Sequence, residues 1–138
     1  MPAHDIYHDV VRTALEKDGW TITDDPYILR TDLINYEVDL GAEKMIAANK
    51  AETKILVEVK SFLRQSKAYE MHTALGQFNT YLLALQKQEP DRRLYLAVAK
   101  EVHVGFFTQP FIQELIAHYH VNLIVFDPEQ ALIDQWMP

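Results

Sequence analysis

Lys54-Ile55-Leu56-Val57-Glu58-Val59-Lys60 is the stretch on which the fold turns. Its aliphatic, largely β-branched run favours a strand. Alternation then places Glu58 and Lys60 on one face and Val57 and Val59 on the other. Leu94-Tyr95-Leu96-Ala97-Val98-Ala99 is nearly continuously apolar, as expected of a strand in a sheet covered on both faces. Between these runs, Met71, Leu75, Phe78, Leu82 and Leu85 form one apolar stripe on a helix over about Ala68 to Gln88, which Pro90 ends. On the other side, Met45-Ile46-Ala47-Ala48 reads as a second strand, joined to the first by a turn around Lys50-Ala51-Glu52.

Further outward, Ile6, Val10, Val11, Ala14 and Leu15 mark a helix from His4 to Lys17, with Asp5 as its cap and Gly19 as its stop. Short extended pieces at Trp20–Thr23 and Tyr27–Arg30 flank the turn residues Asp24-Asp25-Pro26. A helix around Pro110 to His118, a strand at Val121 to Phe126 and an edge strand within Gln130 to Met137 complete the chain. The expected architecture is α/β, in the layered α+β sense. A mixed sheet is flanked by helices in the order αβββαβ, with a C-terminal αβ.

Composition narrows the function. The 138 residues suit a single domain over 1–138, and no linker, repeat or low-complexity tract divides them. With 49% hydrophobic and 24% charged residues the chain is an ordinary globular one. No cysteine is present, which excludes disulfides, cysteine zinc sites and thiol catalysis. Met1-Pro2-Ala3-His4-Asp5 shows no secretory pattern and no apolar run approaches a membrane span, so a cytoplasmic protein is expected. The net charge of −7 disfavours nonspecific binding to nucleic acid, so any such role needs a local basic patch or bound metal ions.

Glu58 and Lys60 on an otherwise apolar strand are the sharpest chemical feature. Asp39 and Glu43 share a face if their segment is extended, and Lys60, Arg64 and Lys67 make the following segment basic enough to meet nucleic acid. Carboxylates beside a lysine suit phosphodiester hydrolysis. The carboxylates hold Mg²⁺ or Mn²⁺, which activates water, while the ammonium offsets transition-state charge.

Asp39 followed by Glu58-Val59-Lys60 resembles the D…(E/D)-x-K signature of the PD-(D/E)XK nuclease superfamily, and Gln77-Phe78-Asn79-Thr80-Tyr81 resembles the Q-x-x-x-Y motif of its RecB-like branch. That resemblance implies a restriction-endonuclease-like core. It also implies a catalytic set of Asp39, Glu58, Lys60, Gln77 and Tyr81, with Mg²⁺ or Mn²⁺ on Asp39 and Glu58. Along the whole chain, Lys17-Asp18-Gly19-Trp20, Asp39-Leu40-Gly41-Ala42-Glu43, Val57-Glu58-Val59-Lys60-Ser61-Phe62, Ala74-Leu75-Gly76-Gln77, Glu89-Pro90-Asp91-Arg92 and Leu123-Ile124-Val125-Phe126-Asp127-Pro128 are similar to the XisH family. Membership would imply a factor controlling excision of a DNA element from a cyanobacterial genome. Its partners would be DNA, an XisI-like companion factor and a site-specific recombinase. By analogy with the superfamily a homodimer is expected. Three functions follow: a metal-dependent DNA endonuclease, a nuclease-like fold used for binding, or a protein-binding accessory subunit.

The hairpin geometry leaves one ligand open. A turn at Ala51-Glu52 sets Glu58 across from Met45 and Lys60 across from Glu43, with Asp39 ~13 Å beyond Glu43. Either a bulge at Gly41 returns Asp39 to the site, or Glu43 is the metal ligand; the motif favours Asp39. His8, Asp9 and Glu16 on the first helix are expected at the surface, and the pairs His4/His8 and His118/His120 in structural or surface roles rather than as metal ligands. Arg92-Arg93 reads as a solvated strand edge, and Phe106, Phe107, Phe111 and Trp136 as core.

Overall fold

The computed structural model describes residues 4–46 and 51–138. Its elements are α1 (His8–Lys17), β1 (Thr21–Asp24), β2 (Tyr27–Leu29), β3 (Tyr36–Val38), β4 (Leu40–Ile46), β5 (Ala51–Val59), α2 (Lys67–Gln88), β6 (Arg93–Ala99), α3 (Lys100–Val102) running into a π-helical turn (His103–Phe107), α4 (Pro110–His118), β7 (Asn122–Asp127) and β8 (Leu132–Met137). Six strands form one sheet in the order β1-β4-β5-β6-β7-β8, and β2 and β3 pair separately as a small ribbon. The centre, β5-β6-β7, is parallel; β4 and β8 add antiparallel strands on either side, and β1 continues beyond β4. This is the mixed α/β layering expected.

Each face of the sheet carries its own core. Val11 and Leu15 of α1 pack with Leu40, Ile55, Val57, Ala97 and Phe126. On the opposite face Met71, Phe78 and Leu85 of α2 pack with Leu56, Leu94, Leu96 and Val125, and the β2–β3 ribbon adds Tyr27, Leu29 and Val38. Covered twice, β6 is buried from Leu94 to Ala99, which is why its sequence shows no alternation. The α2 stripe is buried at Met71, Leu75, Phe78 and Leu85, and Ser66 caps the helix by accepting a hydrogen bond from Tyr69 N.

Several expectations need correction. Leu40 pairs with Val57, Glu43 with Lys54 and Ile46 with Ala51, so the anticipated turn at Ala51-Glu52 is instead strand. Ala47, Ala48 and Lys50 fall outside the described residues. No bulge occurs at Gly41 in the β4–β5 ladder; the irregularity lies in β1, between Ile22 and Asp24. Glycine at 41 has another reason: a Cβ there would stand 3.0 Å from Asp24 Oδ2 and 3.2 Å from the Tyr27 ring. The first helix begins at His8, because Asp5 turns its carboxylate to Tyr7 N and Ser61 N. The ribbon strand β3 and the turn from Lys100 to Phe107 had no counterpart in the sequence reading, being too short or aperiodic to announce themselves. Phe107 is core as expected, whereas Phe111 is 66% exposed. Arg92 is buried, while its neighbour Arg93 is exposed.

Candidate active site

The C-terminal end of β5 brings the carboxylates together. Since Leu40 pairs with Val57, Asp39 stands beside the end of β4, across from Glu58. The side chain of Asp39 accepts a hydrogen bond from Val59 N at 2.7 Å, and Asp39 N donates to Glu58 Oε1 at 3.3 Å. Lys60 Nζ lies 3.7 Å from Glu58 Oε2. Lys60 is fixed at its backbone, where its N–H donates to Ala97 O at 3.1 Å. Ligands of open α/β sheets commonly bind beyond the carboxyl ends of parallel strands, and this group occupies such an end.

Beyond Lys60 the chain is pinned by three devices. Ser61 N donates to Asp5 Oδ2 at 2.9 Å, and Lys67 Nζ donates to Phe62 O at 3.2 Å. Phe62 has φ 53° and is buried against the rings of Phe106 and Phe107. A bulky residue in the left-handed region is held only where its surroundings over-determine it, and here the aromatic cluster does so.

α2 supplies the facing wall. Gln77 and Tyr81, one turn apart, line the same cleft of about 1060 Å³ as Asp39, Glu58 and Lys60. Tyr81 is buried, its ring 5.6 Å from that of Tyr36. Burial, then the charges of Glu58 and Asp39, push the Tyr81 phenol upward, so it remains neutral and able to donate. Gln77 Oε1 is buried without a hydrogen-bond partner among the described residues.

Glu58 is the electrostatic centre. Only 8% exposed, it is pushed up to about 8 by burial and next by the Asp39 carboxylate, against the opposing charge of Lys60. The donors converging here are oxygens, the choice of Mg²⁺ and Mn²⁺, and a buried carboxylate that ionises poorly beside another carboxylate is what a divalent cation relieves. With an orphaned Gln77 oxygen in the same cleft, the residues present fit such an ion.

α1 contributes a residue that the sequence reading left at the surface. His8 is 2% exposed; its Nε2 lies 2.7 Å from Asp25 Oδ1, whose other oxygen accepts from Arg12 Nη1 at 2.6 Å. Burial opposes ionisation of Asp25, but the hydrogen bonds from Arg12 and His8 prevail and hold its carboxyl below its usual range. An ionised Asp25 only accepts, which assigns the shared proton to His8 Nε2. Nδ1 then faces Asp39 Oδ1 at 3.8 Å, buried and unpartnered among the described residues. His4 stacks on His8, and donor atoms of His4, His8 and Asp25 lie within 4.8 Å of one another. The Arg12 cation on Asp25 makes that trio a poor place for a second ion. Only the burial of His8 distinguishes it from Asp9 and Glu16, which are exposed as expected. His118 and His120 are also exposed.

Glu43 is not brought to this group. It pairs across the ladder with Lys54, its carboxylate 3.7 Å from Lys54 Nζ and 3.9 Å from Arg92 Nη2. Arg64 is exposed and lines the cleft, whereas Lys67 is engaged with Phe62 O. Among the described residues no helix is long and apolar enough to cross a membrane.

Comparison with known proteins agrees over the whole chain. The family model described as XisH protein matches residues 1–134. The crystal structure of an XisH family protein from Nostoc punctiforme PCC 73102 is similar at TM-score 0.88 and 44% identity, covering 97% of this chain and 100% of that one. That of an FdxN element excision controlling factor protein from Anabaena variabilis is similar at TM-score 0.88 and 47% identity, covering 98% and 100%. No curated protein matches.

Proposed function

The chain belongs to the XisH family, and from that premise we propose that it controls excision of a genomic DNA element through a metal-dependent phosphodiesterase site of the PD-(D/E)XK kind. One observation carries the reading: Asp39 and Glu58 stand opposite each other at the end of β5 with Lys60 beside them, in a cleft where Glu58 is buried and undercompensated. Excision control is what the Anabaena variabilis relative is described as doing. DNA, a companion factor of the XisI kind and a site-specific recombinase are its proposed partners, and a homodimer is its proposed assembly.

Asp39 and Glu58 would hold Mg²⁺ or Mn²⁺. The ion, when bound, supplies an acidified water and polarises a phosphoryl oxygen. Lys60 places a positive charge where the phosphate gains negative charge in the transition state. Gln77 and the neutral Tyr81 phenol offer hydrogen bonds from the facing wall, and the His8–Asp25–Arg12 chain lies on the far side of Asp39, with His8 Nδ1 3.8 Å from its Oδ1.

Titration of Mg²⁺ and Mn²⁺ by calorimetry into the wild type and Glu58→Ala, beside cleavage of supercoiled and branched DNA, tests this. Binding and cutting by the wild type are expected, with binding lost in Glu58→Ala. Lys60→Ala should fold normally and lose cleavage; normal cutting by that variant rules the reading out. A second reading, a noncatalytic binding subunit, is favoured by the net charge of −7, and metal binding without cutting on any DNA would select it.

A further inference from the structure

The cleft's charge and its rim bear on which form of DNA it takes, a question that rests on the phosphodiesterase reading above. Asp5, Glu37, Asp39, Glu58 and Glu70 line it against two basic side chains, Lys60 and Arg64. Double-stranded DNA carries a charge every ~1.7 Å of its axis and is held chiefly by cations spread along a protein surface. A cleft with this balance is poorly made for that. Its rim also carries exposed apolar and aromatic side chains: Leu63 is 58% and Tyr69 62% exposed, and both line the cleft.

These side chains project from a pinned segment. Arg64 N donates to Glu70 Oε2 at 3.2 Å, Tyr69 N to Ser66 Oγ at 3.2 Å, and Phe62 is buried just before them. Tyr69, Thr73, Gln77 and Tyr81 then follow at four-residue intervals along α2, and all four line the cleft. They make a continuous wall of ~18 Å from the exposed ring to the carboxylates. An exposed ring on such a wall does nothing for a duplex, whose bases are covered by stacking. For an unpaired base it is a platform.

We infer that the cleft takes single-stranded DNA, an unpaired segment or end, with a base stacked on Tyr69 against Leu63, its phosphate beside Arg64 and the strand running along α2 to Asp39 and Glu58. Fluorescence anisotropy with Ca²⁺ in place of Mg²⁺ reads this directly. A labelled single strand should bind at least about tenfold more tightly than a blunt duplex of the same sequence. Tyr69→Ala should weaken single-strand binding roughly 5- to 100-fold, while Tyr69→Phe keeps it. Arg64→Ala should flatten the salt dependence by about 0.7 in slope. Equal or tighter duplex binding, no binding to either DNA, or indifference to Tyr69→Ala would each overturn the inference. The two readings fail differently. If no DNA is cut in Mg²⁺ yet the single-strand preference and its loss in Tyr69→Ala persist, only the phosphodiesterase reading falls. If duplex is cut as well by Tyr69→Ala as by the wild type, only the single-strand inference falls.

Discussion

The two ends of β5 each bury a charged cluster, and the clusters are opposite in kind. At the N-terminal half, Arg92 donates from Nη1 to Ile55 O at 3.2 Å and from Nε to Glu89 Oε2 at 3.0 Å, with its guanidinium 4.8 Å from the Tyr27 ring centroid. Tyr27 donates its hydroxyl to Glu89 Oε1 at 2.5 Å and accepts from Gln88 Nε2 at 2.9 Å. Every member has partners, and the result ties the β2–β3 ribbon and the end of α2 to the sheet. At the C-terminal end two carboxylates crowd together, and His8 Nδ1 and Gln77 Oε1 are buried without partners among the described residues. A satisfied buried cluster holds a fold together; one left unsatisfied stores electrostatic free energy that a ligand can release.

The largest expected effect is at the satisfied end. Arg92→Met takes the guanidinium away from Glu89, Ile55 O and the Tyr27 ring, and should cost about 3–5 kcal/mol in denaturant unfolding. A loss below about 1 kcal/mol would mean that this cluster does not brace the fold. Glu58→Gln should act in the opposite direction. The folded Glu58 titrates near 8, above its unfolded value, so the folded state binds the extra proton and wild-type stability falls as pH rises from about 4.5 through 8. The variant should therefore gain stability at pH 8 and little near pH 4.5, while losing metal binding. Equal pH profiles for the two proteins would erase the contrast between the clusters. Glu89 has the reverse sign: burial raises its carboxyl, but hydrogen bonds from Tyr27 and Arg92 outweigh this and hold it low, so its contribution fades as pH falls.

The smallest effect sharpens the comparison most. Gln77→Met replaces an amide whose oxygen is buried and unpartnered among the described residues, so the fold should gain about 1 kcal/mol. DNA cleavage should decline in the same variant. Lost stability instead would show that Gln77 serves the fold, as Arg92 does.

Much of the fold was legible because its signals are local. The α2 stripe, the apolar run of β6 and the alternation of β5 each follow from neighbouring residues, and Pro110–His118 matched its helix. The site's members were legible from Asp39, Glu58-x-Lys60 and Gln77…Tyr81, but their convergence was not. It hung on strand register, and pairing Leu40 with Val57 rather than turning at Ala51-Glu52 moves Asp39 from a remote position to one opposite Glu58. The sequence carried no strong turn signal there, no Asn-Gly or Pro, by which to choose. Arg92 reads as solvated in the sequence because the partners that bury it, Tyr27 and Ile55, are distant along the chain.

His8 shows the same limit from the other direction. Helical phase alone offered His8, Asp9 and Glu16 equally, and only the packing of α1 over the end of β4, with Asp25 and Arg12 alongside, buries His8 against Asp39. Composition, periodicity and short-range motif set which segments are strands and helices and which residue types can do chemistry, since those follow from local sterics and apolar spacing. Which carboxylate faces which, which histidine is buried and which arginine is structural were decided in three dimensions. Register, helix docking and burial depend on residues far apart in the chain, and desolvation changes a charged group's behaviour only once the neighbours have closed around it.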